Sequence, residues 1–404
     1  MFLKSITINN YKSIQKATVG FEHGLNIIIG KNGAGKSNLL QFINQNVSYY
    51  TIAGRLNRNI NLEYEFAICY EDEELITELI IYLKRDRIVL NGEIELSNEV
   101  RVSKSINGNF QFKDKAIKII KKEKDRTTTI ELYEFLKEID FVTDLNKTVV
   151  SFTLPNNSAW LDKPNKYEID IELFPDSEDY YNEVAIFFEL GRMINIGFST
   201  QEDLKFENLQ SDNVRKIFLK IFNDFNEDYQ LNHNLSKFSP IQEIRINPNI
   251  NIYNVDNKIL VENLLIDFKV NDKWIPWSYL SDGSKRLFYL ITQCLSLKDG
   301  LLLIEEPELG IHPHQLFHLM NFLKEQSEEK QIIISTHSPM VLDILRPDEL
   351  NRITIAKIEH NGSQFYKLTD RQIALAKEYM QDVADLSDYW VHSDLENNYA
   401  ETND

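Results

Sequence analysis

The sequence predicts an α/β fold built around a phosphate-binding loop, and three stretches predict it. Leu25 to Asn44 reads as a short apolar strand, a glycine-rich loop and an amphipathic helix with Leu39, Leu40, Phe42 and Ile43 on its apolar positions. Leu301 to Glu306 is an apolar strand that ends in two carboxylates. Gln331 to Ser335 is a β-rich run that leads into Thr336-His337-Ser338-Pro339. Two further strand-like runs precede the loop, which points to a mixed sheet.

The loop is the most specific signal. Gly30-Lys31-Asn32-Gly33-Ala34-Gly35-Lys36-Ser37 fits the pattern G-x-x-x-x-G-K-[ST] in full. Glycines let backbone N–H groups turn inward around phosphate oxygens, and the helix start adds a partial positive charge. Lys36 can reach the β and γ phosphates of a nucleotide, and Ser37 can ligate Mg2+. The competing reading is a glycine-rich turn that happens to carry a lysine. At an average glycine usage of ~7%, a chance match in a chain this long is on the order of one per cent.

Bulk properties bound the remaining choices. A chain of 404 residues has the length for a large core and roughly two or three domains. Hydrophobic residues make up 43% and charged residues 26%, as in ordinary globular proteins. The net charge of −18 disfavours nonspecific nucleic-acid binding by the whole surface, although a local basic groove remains compatible with it. Cys69 and Cys294 sit in apolar patterns and read as buried reduced thiols rather than metal ligands. The N-terminus has no signal-peptide core, and no apolar run approaches the ~20 residues needed to span a membrane, so a cytoplasmic location is expected.

In chain order, residues 2–10 alternate and read as a strand, Asn9 to Ser13 as a turn, and residues 16–22 as a second strand. From Asn61 to Leu96 the pattern is strand-like, and Asn91-Gly92 is a strong hairpin signal, so an antiparallel β-subdomain is expected. Residues 113–126 carry seven basic and three acidic side chains; a solvated face is favoured there over a nucleic-acid contact. Val149 to Leu154 reads as another strand, and residues 155–178 as loops. Tyr180 to Phe225 has helical periodicity, with Val184, Phe187 and Phe188, then Val214, Ile217, Phe218, Ile221 and Phe222. This predicts a helical insertion whose aromatic stripes are core rather than a cofactor box, without sustained heptads. Strand character returns from Ile241 to Val270. The resulting organisation is 1–60 with the P-loop, 61–240 as β-subdomain and helical insertion, and 241–404 with the remaining motifs.

The C-terminal third adds chemistry. Ser281-Asp282-Gly283 precedes an amphipathic helix carrying Leu287, Leu290, Ile291 and Leu295; alone, this is equally an ordinary capped helix. Two carboxylates at the end of a buried strand are costly without a partner, and a Mg2+ ion with its waters supplies one. Glu305 can hold the metal, and Glu306 can orient or deprotonate an attacking water. Seen alone, His337 would be read as structural; after these motifs it reads as a γ-phosphate contact.

Together these motifs resemble the ABC-type ATPases of the SMC and RecF kind, and more closely the stand-alone and nuclease-fused ATPases related to the overcoming-lysogenization-defect family. Gly30 to Ser37 matches Walker A, Ser281 to Gly283 the signature motif, Leu301 to Glu306 Walker B, and His337 the switch histidine. Tyr11-Lys12-Ser13 resembles an aromatic-basic element whose Lys12 reaches towards nucleotide. The strings EEPELGIHP and STHSPMVLD carry the resemblance most strongly, and it covers residues 1–45 and 275–347. Glu305 stands where Walker B usually has aspartate, and no Q-loop glutamine is identifiable.

The resemblance implies a P-loop ATPase head that uses ATP and Mg2+. It also implies a homodimer or higher homo-oligomer in which each P-loop faces the signature motif of another subunit. Hydrolysis through Glu306 would then release an ATP-closed assembly. The expected function is a dimerisation switch that controls a separate effector protein in anti-phage defence, since the stretch after His337 is short for the nuclease domain of the fused members. The alternative is a DNA-binding or DNA-repair ATPase of the RecF and SMC kind. A scaffold with little turnover is disfavoured by the intact Lys36, Ser37 and Glu306, and a transport ATPase lacks its coupling features here. Asp382, Asp385 and Asp388 read as a solvated face rather than a metal cluster.

Overall fold

The computed structural model describes residues 2–47, 62–72, 75–91, 93–122, 149–152, 166–170, 229–255, 258–263, 265–296 and 300–393. In chain order the first strands are β1 (Phe2–Tyr11), β2 (Ile14–Gly20) and β3 (Leu25–Ile29), followed by helix α1 (Lys36–Asn46). Next come β4 (Leu62–Asp72), β5 (Leu75–Leu90), β6 (Glu93–Ile106), β7 (Asn109–Lys122), β8 (Val149–Phe152) and β9 (Lys166–Asp170). Helix α2 (Tyr229–Phe238) leads to β10 (Glu243–Ile246), β11 (Asn251–Val255), β12 (Lys258–Glu262), β13 (Ile266–Val270) and β14 (Lys273–Pro276). The chain continues through α3 (Asp282–Ser296), β15 (Leu301–Glu305), α4 (Pro313–Gln326), β16 (Gln331–Thr336), β17 (Ile353–Glu359), β18 (Gly362–Lys367), α5 (Asp370–Asp382) and α6 (Leu386–His392).

These elements fall into two compact units. The first comprises Met1–Phe152, Lys298–Glu308 and Leu323–Asp404. Its described strands form one 12-stranded sheet in the order β7-β6-β5-β4-β1-β2-β18-β17-β3-β16-β15-β8. The strands from β17 to β8 run parallel, and those from β7 to β2 form an antiparallel meander. The sequence patterns follow from this split. Strands covered on both faces read as largely apolar runs, and every residue of β3 and β16 is buried. In β1 buried and exposed positions alternate, as in a strand with one wet face. Helix α1 lays Leu39, Phe42 and Ile43 into the core beside Ile6, Ile8, Tyr64 and Phe66. Phe42 meets Tyr11 edge-on at 4.8 Å and Tyr64 at 5.2 Å between ring centroids.

A buried amide ties the two halves of this sheet. Gln331 opens β16 and is fully buried. Its Oε1 accepts from Leu3 N at 2.8 Å, and its Nε2 donates to Leu3 O and Glu22 O, each at 3.0 Å. The second unit comprises Thr153–Leu297 and Leu309–Phe322. It holds two three-stranded antiparallel sheets, β10-β13-β14 and β11-β12-β9. Phe288 and Tyr289 of α3 pack with Phe268 and Trp277 in an aromatic cluster with centroid distances of 5.1 to 5.8 Å.

The expected antiparallel subdomain is present as β4 to β7. Leu90 pairs with Glu93, and Asn91 between the two strands takes φ +52. The basic run up to Lys122 lies on β7, the second strand of a hairpin with β6. Two expectations are corrected. The turn after β1 is confined to Lys12 and Ser13, with Tyr11 still paired to Ile14, because burying Tyr11 against Phe42 draws the strand onward. Residues 166–170, expected as loop, form β9, whose partner β12 lies too far along the chain for local composition to announce it. The helical insertion expected at 180–225 lies outside the described residues. Cys69 and Cys294 are both buried and form no disulfide. No described helix is long and apolar enough to cross a membrane.

Replacing Gln331 with leucine keeps the bulk but removes the side-chain partner of two buried backbone groups, Leu3 N–H and C=O; Glu22 O keeps its bond from Asn26 Nδ2. The expected cost is about 2–4 kcal/mol, read as a lower midpoint in thermal unfolding; an unchanged midpoint would contradict the clamp.

Candidate functional site

The parallel register decides which residues meet. Ile29 on β3 pairs with Thr336 on β16, and Ser335 pairs with Glu305 on β15. The residues that follow these strands are Gly30, His337 and Glu306. They emerge at one edge of the sheet on three successive strands, which lie about 4.8 Å apart. This carboxyl edge is where open α/β sheets bind ligands.

The loop after β3 is shaped for an anion. Gly35 N-caps α1 at φ +99 with no side-chain cap, and an uncapped helix N-terminus suits an anion. Gly33 also takes a left-handed φ, +81. Lys36 is only 6% exposed, and its Nζ donates to Gly30 O at 2.6 Å and Lys31 O at 3.1 Å. The ammonium is thereby held against the inner carbonyls of the loop. Lys31, Asn32, Gly33 and Ser37 are exposed, and Ala34 is buried. Lys12 sits at φ +50 between β1 and β2, and its Nζ donates to Gln41 Oε1 on α1.

The carboxylate strand ends in an unusual backbone. Glu305 closes β15, and Glu306 adopts φ +46, a conformation that costs a side-chain-bearing residue about 1–2 kcal/mol. Glu306 N donates to Ser335 O at 2.8 Å, which holds this turn in place. His337 Nδ1 then lies 3.5 Å from Glu306 Oε1 and 3.8 Å from Glu308 Oε1. Such local strain concentrates where a side chain must be aimed.

Glu308 and Thr336 were not singled out by sequence reasoning, yet they join the two motifs. Thr336 Oγ1 donates to Glu308 Oε1 at 2.6 Å, and His337 N approaches the same oxygen at 3.3 Å. Ser338 N donates to Thr336 Oγ1 at 2.9 Å. Glu308 Oε2 is buried without a hydrogen-bond partner among the described residues. The sequence signal was the polar pair flanking known motif residues; only the register between β15 and β16 reveals that they touch.

In the second unit, Ser281 caps α3. Its Oγ accepts from Ser284 N at 3.1 Å and lies 2.9 Å from Ser284 Oγ. A Cβ on Gly283 would stand 2.7 Å from Gly310 O, so this close approach requires glycine. Of the expected site residues, the first unit gathers Gly30 to Ser37, Lys12, Glu305, Glu306 and His337. Ser281 and Gly283 belong to the second unit.

A P-loop at the carboxyl edge of parallel strands, beside paired carboxylates and a histidine, defines a P-loop ATPase. The chain belongs to the AAA ATPase domain family, which matches residues 1–342, and it binds and hydrolyses ATP. It is similar to an ATP/GTP phosphatase of Helicobacter pylori, with 23% identity over 93% of this chain and 95% of that protein. A retron Vc95 probable ATPase of Vibrio cholerae is 23% identical over 87% of this chain and 73% of its own length. The DNA replication and repair protein RecF of Streptococcus agalactiae is 21% identical over 83% of this chain and 78% of its own.

Thr336→Val keeps the shape of the side chain and removes the donor to Glu308. A fall in kcat for ATP of about tenfold is expected from the loss of one buried hydrogen bond to a charged group, with KM little changed. Wild-type kcat in this variant would contradict the link between the two motifs.

Proposed function

We propose that this ATPase is an ATP-driven dimerisation switch that controls a separate effector protein in anti-phage defence in the cytoplasm. The observation that carries the reading is the pairing of Glu306, after β15, with His337, after β16, at 3.5 Å, where β16 lies next to the P-loop strand. A carboxylate and an imidazole placed there suit detection and removal of a terminal phosphate. In this reading the backbone from Gly30 to Gly35 cradles the phosphates and Lys36 neutralises the β and γ positions. Glu306 accepts a proton from the attacking water, and His337 contacts the γ-phosphate. Lys12 reaches the nucleotide from the β1–β2 turn.

Ser37 and Glu305 would hold Mg2+, which would supply charge neutralisation at the phosphates. One exposed hydroxyl and one half-buried carboxylate suit an ion that keeps several of its waters. Ser281 and Gly283 would complete the site on a second copy of the chain, so that ATP favours the closed assembly and hydrolysis releases it. Segments 1–60 and 241–404 would form the ATPase head, leaving 61–240 to meet the effector. The relative described as a retron ATPase supports the defence context.

A second reading, a DNA-binding ATPase of the RecF kind, is favoured by the RecF relative and by the exposed Lys113, Lys115 and Lys118 on β7 of an acidic chain. Hydrolysis stimulated by DNA and suppressed by salt would single it out.

The switch is tested by light scattering on Glu306→Gln, whose amide cannot accept the proton. An increase in solution mass with Mg-ATP, reversed by exchange for ADP, is expected. A mass that ATP leaves unchanged, whether monomeric or already oligomeric, would contradict the switch.

A further inference from the structure

Two glycines of the P-loop are pressed against the β17–β18 hairpin, which lies beyond the family-matched residues 1–342. A Cβ on Gly30 would stand 2.2 Å from Ala356 O. One on Gly35 would stand 2.2 Å from Ser363 Oγ, 2.6 Å from Ser363 Cβ and 3.1 Å from Ser13 Oγ. At the hairpin tip, a Cβ on Gly362 would stand 2.4 Å from Ser13 O. The hairpin, the β1–β2 turn and the P-loop therefore meet at van der Waals contact, with the Ser363 and Ser13 side chains set against Gly35.

The junction is polar. Ser363 is 0% exposed. Its N donates to Ser13 O at 2.7 Å, and its Oγ donates to Ser13 Oγ at 2.7 Å. Asn38 Nδ2, in the first turn of α1, donates to the same Ser13 Oγ at 2.7 Å. One hydroxyl thus accepts from two donors, 25 and 350 residues away in the chain. A buried hydroxyl is costly unless bonded, and an apolar side chain would fill the space without fixing a direction. What the bonds fix is the position of Gly35, the residue whose backbone aims the first N–H groups of α1.

We propose that Ser363 is a positioning residue for ATP. Through Ser13 and Asn38 it seats Gly35 and the start of α1 so that the P-loop holds its phosphate-binding shape. Its described bonds run to Ser13 beside the P-loop and not to Glu306 or His337, so its effect falls on binding. The proposal rests on the P-loop as the ATP site; failure of the wild-type protein to bind ATP would remove that assignment and the proposal with it.

The test uses the full chain with Ser363→Ala, Ser13→Ala and both together, following ATP affinity, steady-state hydrolysis and thermal unfolding. Ser363→Ala is expected to raise Kd and KM for ATP about fivefold, as for one lost buried hydrogen bond. Ser13→Ala, which also strips Asn38 of its acceptor, should raise them at least as much, with kcat at saturating ATP held within about twofold in both. The double variant should be about as weak as Ser13→Ala alone, because that change already removes the bond from Ser363. Wild-type affinity in the singles, or effects that simply multiply in the double variant, would overturn the proposal. So would a lowered unfolding midpoint with ATP affinity unchanged, since that marks a residue of the fold alone. Should Ser363→Ala fail to fold, Asn38→Ala removes the other donor to Ser13 and is held to the same affinity outcomes.

Discussion

The parallel pairing of β3, β16 and β15 is the constraint on which the rest of the site depends. Because Ile29 pairs with Thr336 and Ser335 with Glu305, three residues distant in sequence leave the sheet side by side. A shift of one residue in either pairing would turn the side chains of the moved strand to the opposite face. Burial of every residue in β3 and β16 makes such a shift expensive, so the hydrophobic core also aligns the chemistry. Gln331 anchors one end of β16 to β1, and the P-loop opens from the other end of the neighbouring strand.

Beyond the strand ends, small polar contacts refine the aim. Glu306 takes a backbone conformation that favours glycine, and the bond from its N–H to Ser335 holds it there. Glu308 gathers Thr336 and the His337 backbone on one oxygen. The charged and hydroxyl side chains at this edge are therefore placed by bonds between β15 and β16 rather than by loops free to move. Such placement suits a site whose efficiency rests on geometry and electrostatics at a transferring phosphate.

Much of this was legible in the sequence because the elements carry their own signals. The P-loop is spelled out by glycine spacing, β3 and β15 by short apolar runs, and the β5–β6 hairpin by Asn91-Gly92. Where structure depends on a distant partner, the signal fades. β9 exists through its pairing with β12, and the turn after β1 is shortened by Tyr11 packing on Phe42. The left-handed backbone at Glu306 had no herald, since glutamate is not a residue that prefers it. Glu308, Thr336 and Ser363 were plain letters beside known motifs until the register brought Glu308 to Thr336 and the hairpin brought Ser363 to Gly35.

The central claim is that one chain presents Lys36, Glu306 and His337 to a single nucleotide. It is tested most directly by a crystal structure of the Glu306→Gln protein with Mg-ATP. The account expects γ-phosphate oxygens within hydrogen-bond distance of Lys36 Nζ and of the His337 ring in the same chain. A γ-phosphate bound at the P-loop but out of reach of His337 would contradict it.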